Sequence, residues 1–190
     1  MGLFYKIKQL LFVEVRILKF KLLSDCKNTV GKPNLYHPLL LKGKGSISFG
    51  NNVQIGVVAS PNYYSHYAYL EAREANSSIQ IGNNVSINNA FSAVAFSKIR
   101  IGDNVLIGTN CSLMDNDAHH LASNKRHESS ISKEIVIENN VFIGSNVTIL
   151  KGVTIGENTV IGNGSVVTKS IPKNVIAAGN PAHVIRELPC

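Results

Sequence analysis

From Ile137 onward an aliphatic residue recurs every six positions, at Ile143, Ile149, Ile155, Ile161 and Val167. Four places after each start the chain again carries an apolar or small residue: Val141, Val147, Val153, Thr159 and Ser165. The phrase returns upstream at Ile101, Ile107 and Leu113, at Ile81 and Ile87, and at Phe49 and Ile55. A fixed short period marks a solenoid, in which no single repeat can bury its apolar face alone. Positions four and six are two apart, so in a strand they point to the same side, inward. Between them Gln54, Ser86, Phe142 and Thr148 point out. The joining residues must turn sharply. Gly accepts positive φ without steric cost and Asn tolerates it, which accounts for Ile-Gly-Asn-Asn and Ile-Gly-Asp-Asn. Each hexad makes one flat face, three faces close a triangular coil, and coils stack through parallel strands.

The interruptions carry separate information, because function in a solenoid usually sits on loops that leave a regular scaffold. One insert spans residues 57–78 and is rich in tyrosine; the other spans residues 114–133 and opens with Met114-Asp115-Asn116-Asp117-Ala118-His119-His120. Between Ile87 and Ile101 the register slips by two, which keeps inward residues inward. The expected class is all-β: a parallel β-helix with an N-terminal helix and two inserted loops. We divide the chain into a helical segment (1–32), the coil (33–175) and a tail (176–190).

Charge is concentrated at one end. Residues 1–32 hold seven Lys or Arg against two acids, whereas the remainder holds twelve against ten. The nearly neutral coil argues against a nucleic-acid partner. Residues 3–23 read as a helix with Phe4, Ile7, Leu11, Val15, Leu18 and Leu22 on one face. We expect that face to cap the open apolar end of the coil, as solenoids require. The alternative is reversible contact with an anionic membrane, where lipid-linked glycan is assembled. No stretch of eighteen uncharged apolar residues occurs, and no small-residue cleavage site follows the apolar N-terminal stretch. Cys26, Cys111 and Cys190 show no pairing or metal-ligand spacing. A cytoplasmic protein is expected, with Cys111 as core filling.

The hexads, with Ile143-Gly144-Ser145, Val167-Thr168-Lys169, the Ile171-Pro172 turn and Ala178-Gly179-Asn180-Pro181-Ala182, resemble the hexapeptide-repeat acyltransferases. The resemblance is to the galactoside, maltose and xenobiotic acetyltransferase branch and covers roughly residues 80–188. It implies a left-handed coil, a homotrimer, and acetyl-CoA as co-substrate in a groove between adjacent copies, with no metal. It also implies a loop histidine as general base. His119 best matches that histidine, with His120 the alternative because the spacing here is one residue off. Imidazole titrates in the right range to take a hydroxyl proton. Asp115 or Asp117 is a candidate to orient the ring.

Carried over residue by residue, Ser145, Gly162, Thr168, Lys169 and Arg186 match CoA-contacting positions. Asn163 and His183 fall at further such positions but depart from the usual residue, a small apolar one and an arginine. Lys169 and Arg186 suit phosphate oxygens. Asn88 or Asn89 corresponds to an acceptor contact. Tyr69 and Arg73, with Asp117, are further acceptor candidates, although the tyrosines would equally serve to pack the insert. The expected function is acetyl transfer to a sugar hydroxyl, on a cell-surface glycan intermediate. A xenobiotic or amino-sugar acetyltransferase and a non-catalytic scaffold are the alternatives.

Overall fold

The computed structural model describes residues 2–189, so Cys190 lies outside the described residues. The chain visits three sheets in rotation. The first holds Asn28–Val30, Ser46–Phe49, Ser78–Ile81, Lys98–Ile101, Ile135–Ile137 and Thr154–Ile155. The second runs from Asn34–Leu35 through Gln54–Ile55, Ser86–Ile87, Leu106–Ile107, Phe142–Ile143 and Val160–Ile161 to Val175–Gly179. There Ala182–Glu187 adds an antiparallel edge. The third holds Leu39–Lys42, Ala68–Ala72, Ser92–Ala95, Ser112–Met114, Thr148–Leu150 and Val166–Val167. Strands within the coil pair in parallel with the equivalent strand one turn on.

The registers put like over like. Ile81, Ile101, Ile137 and Ile155 form one inward column; Ile87, Ile107, Ile143 and Ile161 form a second. Every member is buried. At about 1.5–3 kcal/mol for each buried aliphatic side chain, these columns supply the cohesion that isolated two-residue strands lack. Cys111 joins this core, and its Sγ–H donates to the Gly144 carbonyl at 3.0 Å. Burial pushes its thiol pKa up.

The corners divide labour between Gly and Asn differently from the sequence reading. In corner phrases of the Ile-Gly-Asn-Asn kind it is the fourth residue that takes the left-handed conformation, at Asn52, Asn84, Asn104, Asn140 and Asn158, with φ of 55–60°. Their amides then bond coil to coil, Asn52 to Asn84 at 3.1 Å and Asn84 to Asn104 at 3.2 Å. The preceding Gly is needed for room. A Cβ on Gly82 would stand 2.4 Å from Asp103 Oδ1 and 2.7 Å from the Gly102 carbonyl carbon.

Two further expectations need correction. The insert at 57–78 is not one loop: Ala68–Ala72 is a strand of the third sheet, with Ala68, Leu70 and Ala72 buried. Two of its three inward residues are alanines, so no aliphatic period announced it. The coil also begins at Asn28, inside the segment assigned to the helix. The slip between Ile87 and Ile101 does keep Phe91, Ala93, Ala95 and Ile99 buried.

The N-terminal segment is helical: α1 (Leu3–Gln9), one wide π turn (Leu10–Glu14), then α2 (Val15–Leu23). Its expected capping face is turned away from the coil, since Ile7, Leu11, Val15, Leu18 and Leu22 are 44–77% exposed. The opposite face docks. Val13 is fully buried, Gln9 donates to the Tyr63 hydroxyl at 2.9 Å, Phe20 stacks on Tyr67 with ring centroids 4.3 Å apart, and Arg16 bonds the Ser65 and His66 carbonyls. Polar anchors and tyrosines thus chose the packed face, and a count of apolar residues could not see them. No described helix is long and apolar enough to cross a membrane.

Candidate active site

The 114–133 loop leaves the coil where the third sheet hands over to the first. Asp115 sets its root: the fully buried carboxylate accepts from the N–H groups of Phe96, Ser97 and Lys98 at 2.7, 2.8 and 2.7 Å. Three charge-assisted hydrogen bonds satisfy a corner that the register slip leaves open. Asn116, also buried, donates to the Ser130 carbonyl at 3.0 Å and Ser132 Oγ at 2.8 Å, closing the loop on itself. Its Oδ1 accepts from Ala118 N–H at 2.6 Å, and Ala118 takes a left-handed φ of 62° that throws His119 outward.

The two histidines are differently committed. His119 Nδ1 lies 3.1 Å from the Arg126 carbonyl oxygen. A carbonyl can only accept, so Nδ1 carries the proton and the neutral ring presents a bare Nε2. His120 Nδ1 instead accepts from Ala122 N–H at 3.1 Å, which places the neutral ring's proton on Nε2. The exposed His119 therefore offers a basic nitrogen to the outside and His120 offers a donor. Neither candidate aspartate touches a ring: Asp115 is spent on backbone, and Asp117 pairs with Lys151 and accepts from Ser130 Oγ at 3.3 Å.

The remaining candidates divide between two corners. Asn88, Asn89, Ser145, Gly162 and Asn163 lie where the second sheet hands over to the third. Ser145 N–H donates to Asn163 Oδ1 at 2.7 Å, and Ser145 Oγ accepts from Thr109 N–H at 3.3 Å. Gly162 faces Ala178, whose Cβ would be 2.8 Å from an added Cβ, and Ala178 pairs with His183 across the antiparallel edge. Arg186 is exposed farther along that edge. Thr168 and Lys169, exposed, follow Val166–Val167 and so share the corner of the His119 loop. A strand of the third sheet, spanning on the order of 10 Å, separates the corners. One chain does not bring His119 together with Ser145, Gly162 and His183.

The acceptor candidates meet different fates. Asn89 is fully buried and holds the tyrosine-rich insert, donating to the Pro61 carbonyl at 2.9 Å and accepting from Val57 N–H at 3.1 Å. Only Asn88 of that pair has a partly exposed side chain. Tyr69 faces out from the third sheet and donates to Glu71 Oε2 at 2.7 Å; Arg73 grips the same carboxylate at 2.9 and 2.8 Å. Burial, then the Glu71 bond, pushes the Tyr69 pKa up to about 12. Tyr63 and Tyr67 pack the helix, as described above. A cavity of about 610 Å3 over the first sheet, lined by Gln80, Arg100, Glu138 and Glu157 among others, holds no candidate. Among the described residues, no group of three or more His, Cys, Asp or Glu could hold a metal ion.

Lys151 was missed by the sequence reading. It bonds Asp117 and the Ile131 carbonyl, the latter at 3.0 Å, and so ties the His119 loop to the next coil. The signal was present: Met114 and Leu150 share a register, which places Lys151 one coil from Asp115.

Comparisons with known proteins agree with this architecture. The profile of the bacterial transferase hexapeptide family (six repeats) matches residues 134–169, and that of the hexapeptide repeat of succinyl-transferase matches residues 98–113. Galactoside O-acetyltransferase of Escherichia coli (strain K12) is 44% identical over 133 residues, 69% of this chain; the chain spans 60% of that relative's length. A hexapeptide-repeat acetyltransferase of Vibrio cholerae O1 biovar eltor, solved with acetyl coenzyme A, superposes with a TM-score of 0.62 at 32% identity. That match covers 74% of this chain and 70% of the other. A galactoside acetyltransferase solved with coenzyme A gives a TM-score of 0.61 at 40% identity, over 74% of this chain and 65% of the other.

Proposed function

The chain belongs to the hexapeptide-repeat acetyltransferase family, and on that premise we propose that it transfers acetyl from acetyl-CoA to a sugar hydroxyl, with His119 as general base. The observation that carries the assignment of the base is the hydrogen bond from His119 Nδ1–H to the Arg126 carbonyl, which leaves Nε2 free to take a proton. In the proposed step, Nε2 takes the acceptor hydroxyl's proton as its oxygen bonds to the thioester carbonyl carbon. The carbon–sulfur bond then breaks and the proton passes to the departing thiolate. A positioned base of this kind contributes about 10²–10⁴-fold.

The same proposal includes a left-handed coil, as in other hexapeptide proteins, and a homotrimer. What supports an oligomer is the division of candidates between two corners: a second copy can set its Ser145–Gly162–His183 corner against the His119 corner of the first. Asn88, Tyr69 and Arg73 are proposed to face the acceptor, and Lys169 and Arg186 the CoA phosphates. The acceptor is proposed to be a sugar, which the similarity to a galactoside O-acetyltransferase supports, and within that class a glycan intermediate.

The test is thiol release from acetyl-CoA by wild type, His119→Ala and His120→Ala across free sugars, nucleotide-linked sugars, amino sugars and antibiotics. The proposal expects sugar-dependent release that His119→Ala loses at least about 100-fold and His120→Ala keeps. Full release by His119→Ala removes that residue as base. Turnover of antibiotics or amino sugars alone reassigns the acceptor, and failure to bind CoA makes the coil a scaffold.

A further inference from the structure

The N-terminal helix carries an apolar stripe that no part of the described chain covers. Ile7, Leu10, Leu11, Val15, Leu18 and Leu22 stand 44%, 55%, 54%, 50%, 57% and 77% exposed. Ile7, Leu11, Val15, Leu18 and Leu22 recur at helical spacing on the face opposite the fully buried Val13, and Leu10 stands at the edge of that stripe. That face cannot turn inward, because Gln9, Arg16 and Phe20 lock the other side to Tyr63, the Ser65 and His66 carbonyls and Tyr67.

The flanks are cationic. Lys6 and Lys21 border the stripe on one side, Lys8 and Lys19 on the other, and Glu14 is the acid among them. The first 32 residues carry +5, against +2 for the rest.

We propose that this face binds an anionic lipid surface, with the helix lying in the plane of the interface. An apolar strip bordered by long cationic side chains suits that environment, since the strip enters the acyl boundary while the ammonium groups reach up to phosphate oxygens. A second copy pairing through this same face is the weaker occupant, because it sets lysines of one copy against lysines of the other; contact with a different face of a neighbouring copy is separated from lipid binding by the mass measurement below. The placement does not depend on the acetyl-transfer reading.

The experiment is co-sedimentation of the full chain with vesicles of phosphatidylcholine alone or with roughly a quarter phosphatidylglycerol, at low and high salt. Wild type is compared with Leu11→Ser/Leu18→Ser and with Lys6→Gln/Lys8→Gln/Lys19→Gln. Light scattering gives the solution mass of each, and thermal melting confirms that each is folded. The expected result is binding to the anionic vesicles that falls at least about tenfold in either variant and weakens with salt. Leu22→Ser, at the most exposed of the six positions, serves as an independent variant if the double leucine change fails to fold. Wild type that stays in the supernatant overturns the proposal, as does equal binding by folded variants. A mass that drops in Leu11→Ser/Leu18→Ser without vesicles assigns the face to a second copy instead.

Discussion

Lys151 forms an ion pair with Asp117 across one turn of the coil, so the loop that carries His119 is fastened at its root by Asp115 and on its flank by Lys151. The pair is three-quarters shielded from water on both sides, with side-chain exposures of 22% and 27%. Its contribution is to loop position more than to global stability.

Replacing Lys151 by Ala should therefore lower the rate of thiol release about tenfold while lowering unfolding free energy by about 1–2 kcal/mol, between the values for exposed and for buried pairs. Asp117→Ala should do the same, and the double variant should be little worse than either single, because both remove one interaction. Kinetics alongside urea denaturation check this; fully additive losses would show that the two residues act separately.

The corner chemistry makes an opposed pair of predictions. Gly82→Ala forces a Cβ to within 2.4–2.7 Å of Asp103 and Gly102 and should cost about 2 kcal/mol or more. Asn84→Ala strains a residue at φ 55° and removes amide bonds to Asn52 and Asn104, costing about 1–2 kcal/mol; Asn84→Gly relieves the strain and should cost less. Chemical denaturation of the three variants gives the ranking. If Asn84→Gly proves the worst, backbone conformation is not what selects Asn there.

His37 provides a pH dependence. It is fully buried, its Nε2 bonds the Asn62 carbonyl at 3.1 Å, and its Nδ1 has no partner. Burial lowers its pKa to about 4, against about 6.5 in the unfolded chain. Below pH 6.5 the unfolded state binds the proton and the folded state does not. Stability from this group is complete above that pH and is lost as pH falls toward 4, by at most about 1.4 kcal/mol per pH unit. Denaturation curves from pH 7 to 4 should show the loss in wild type and a flatter profile in His37→Gln. Identical profiles would place the sensitivity elsewhere.

The coil itself was legible in the residue order. A period of six with apolar residues two apart admits few arrangements other than flat faces closing on one another, and both the inward columns and the buried Cys111 follow from it. The His119 loop was legible as a break in that period. The division of corners into Gly for clearance and Asn for conformation was not, because clearance depends on the coil above and not on neighbours in sequence. Likewise the strand Ala68–Ala72 gave no aliphatic signal, and the packed face of the helix was chosen by Gln9, Arg16 and Tyr63 across some fifty residues of chain. The tautomers of His119 and His120 rest on which backbone group lies beside each ring. Local periodicity determined what this chain folds into; contacts between distant segments decided which side chains were left free to act.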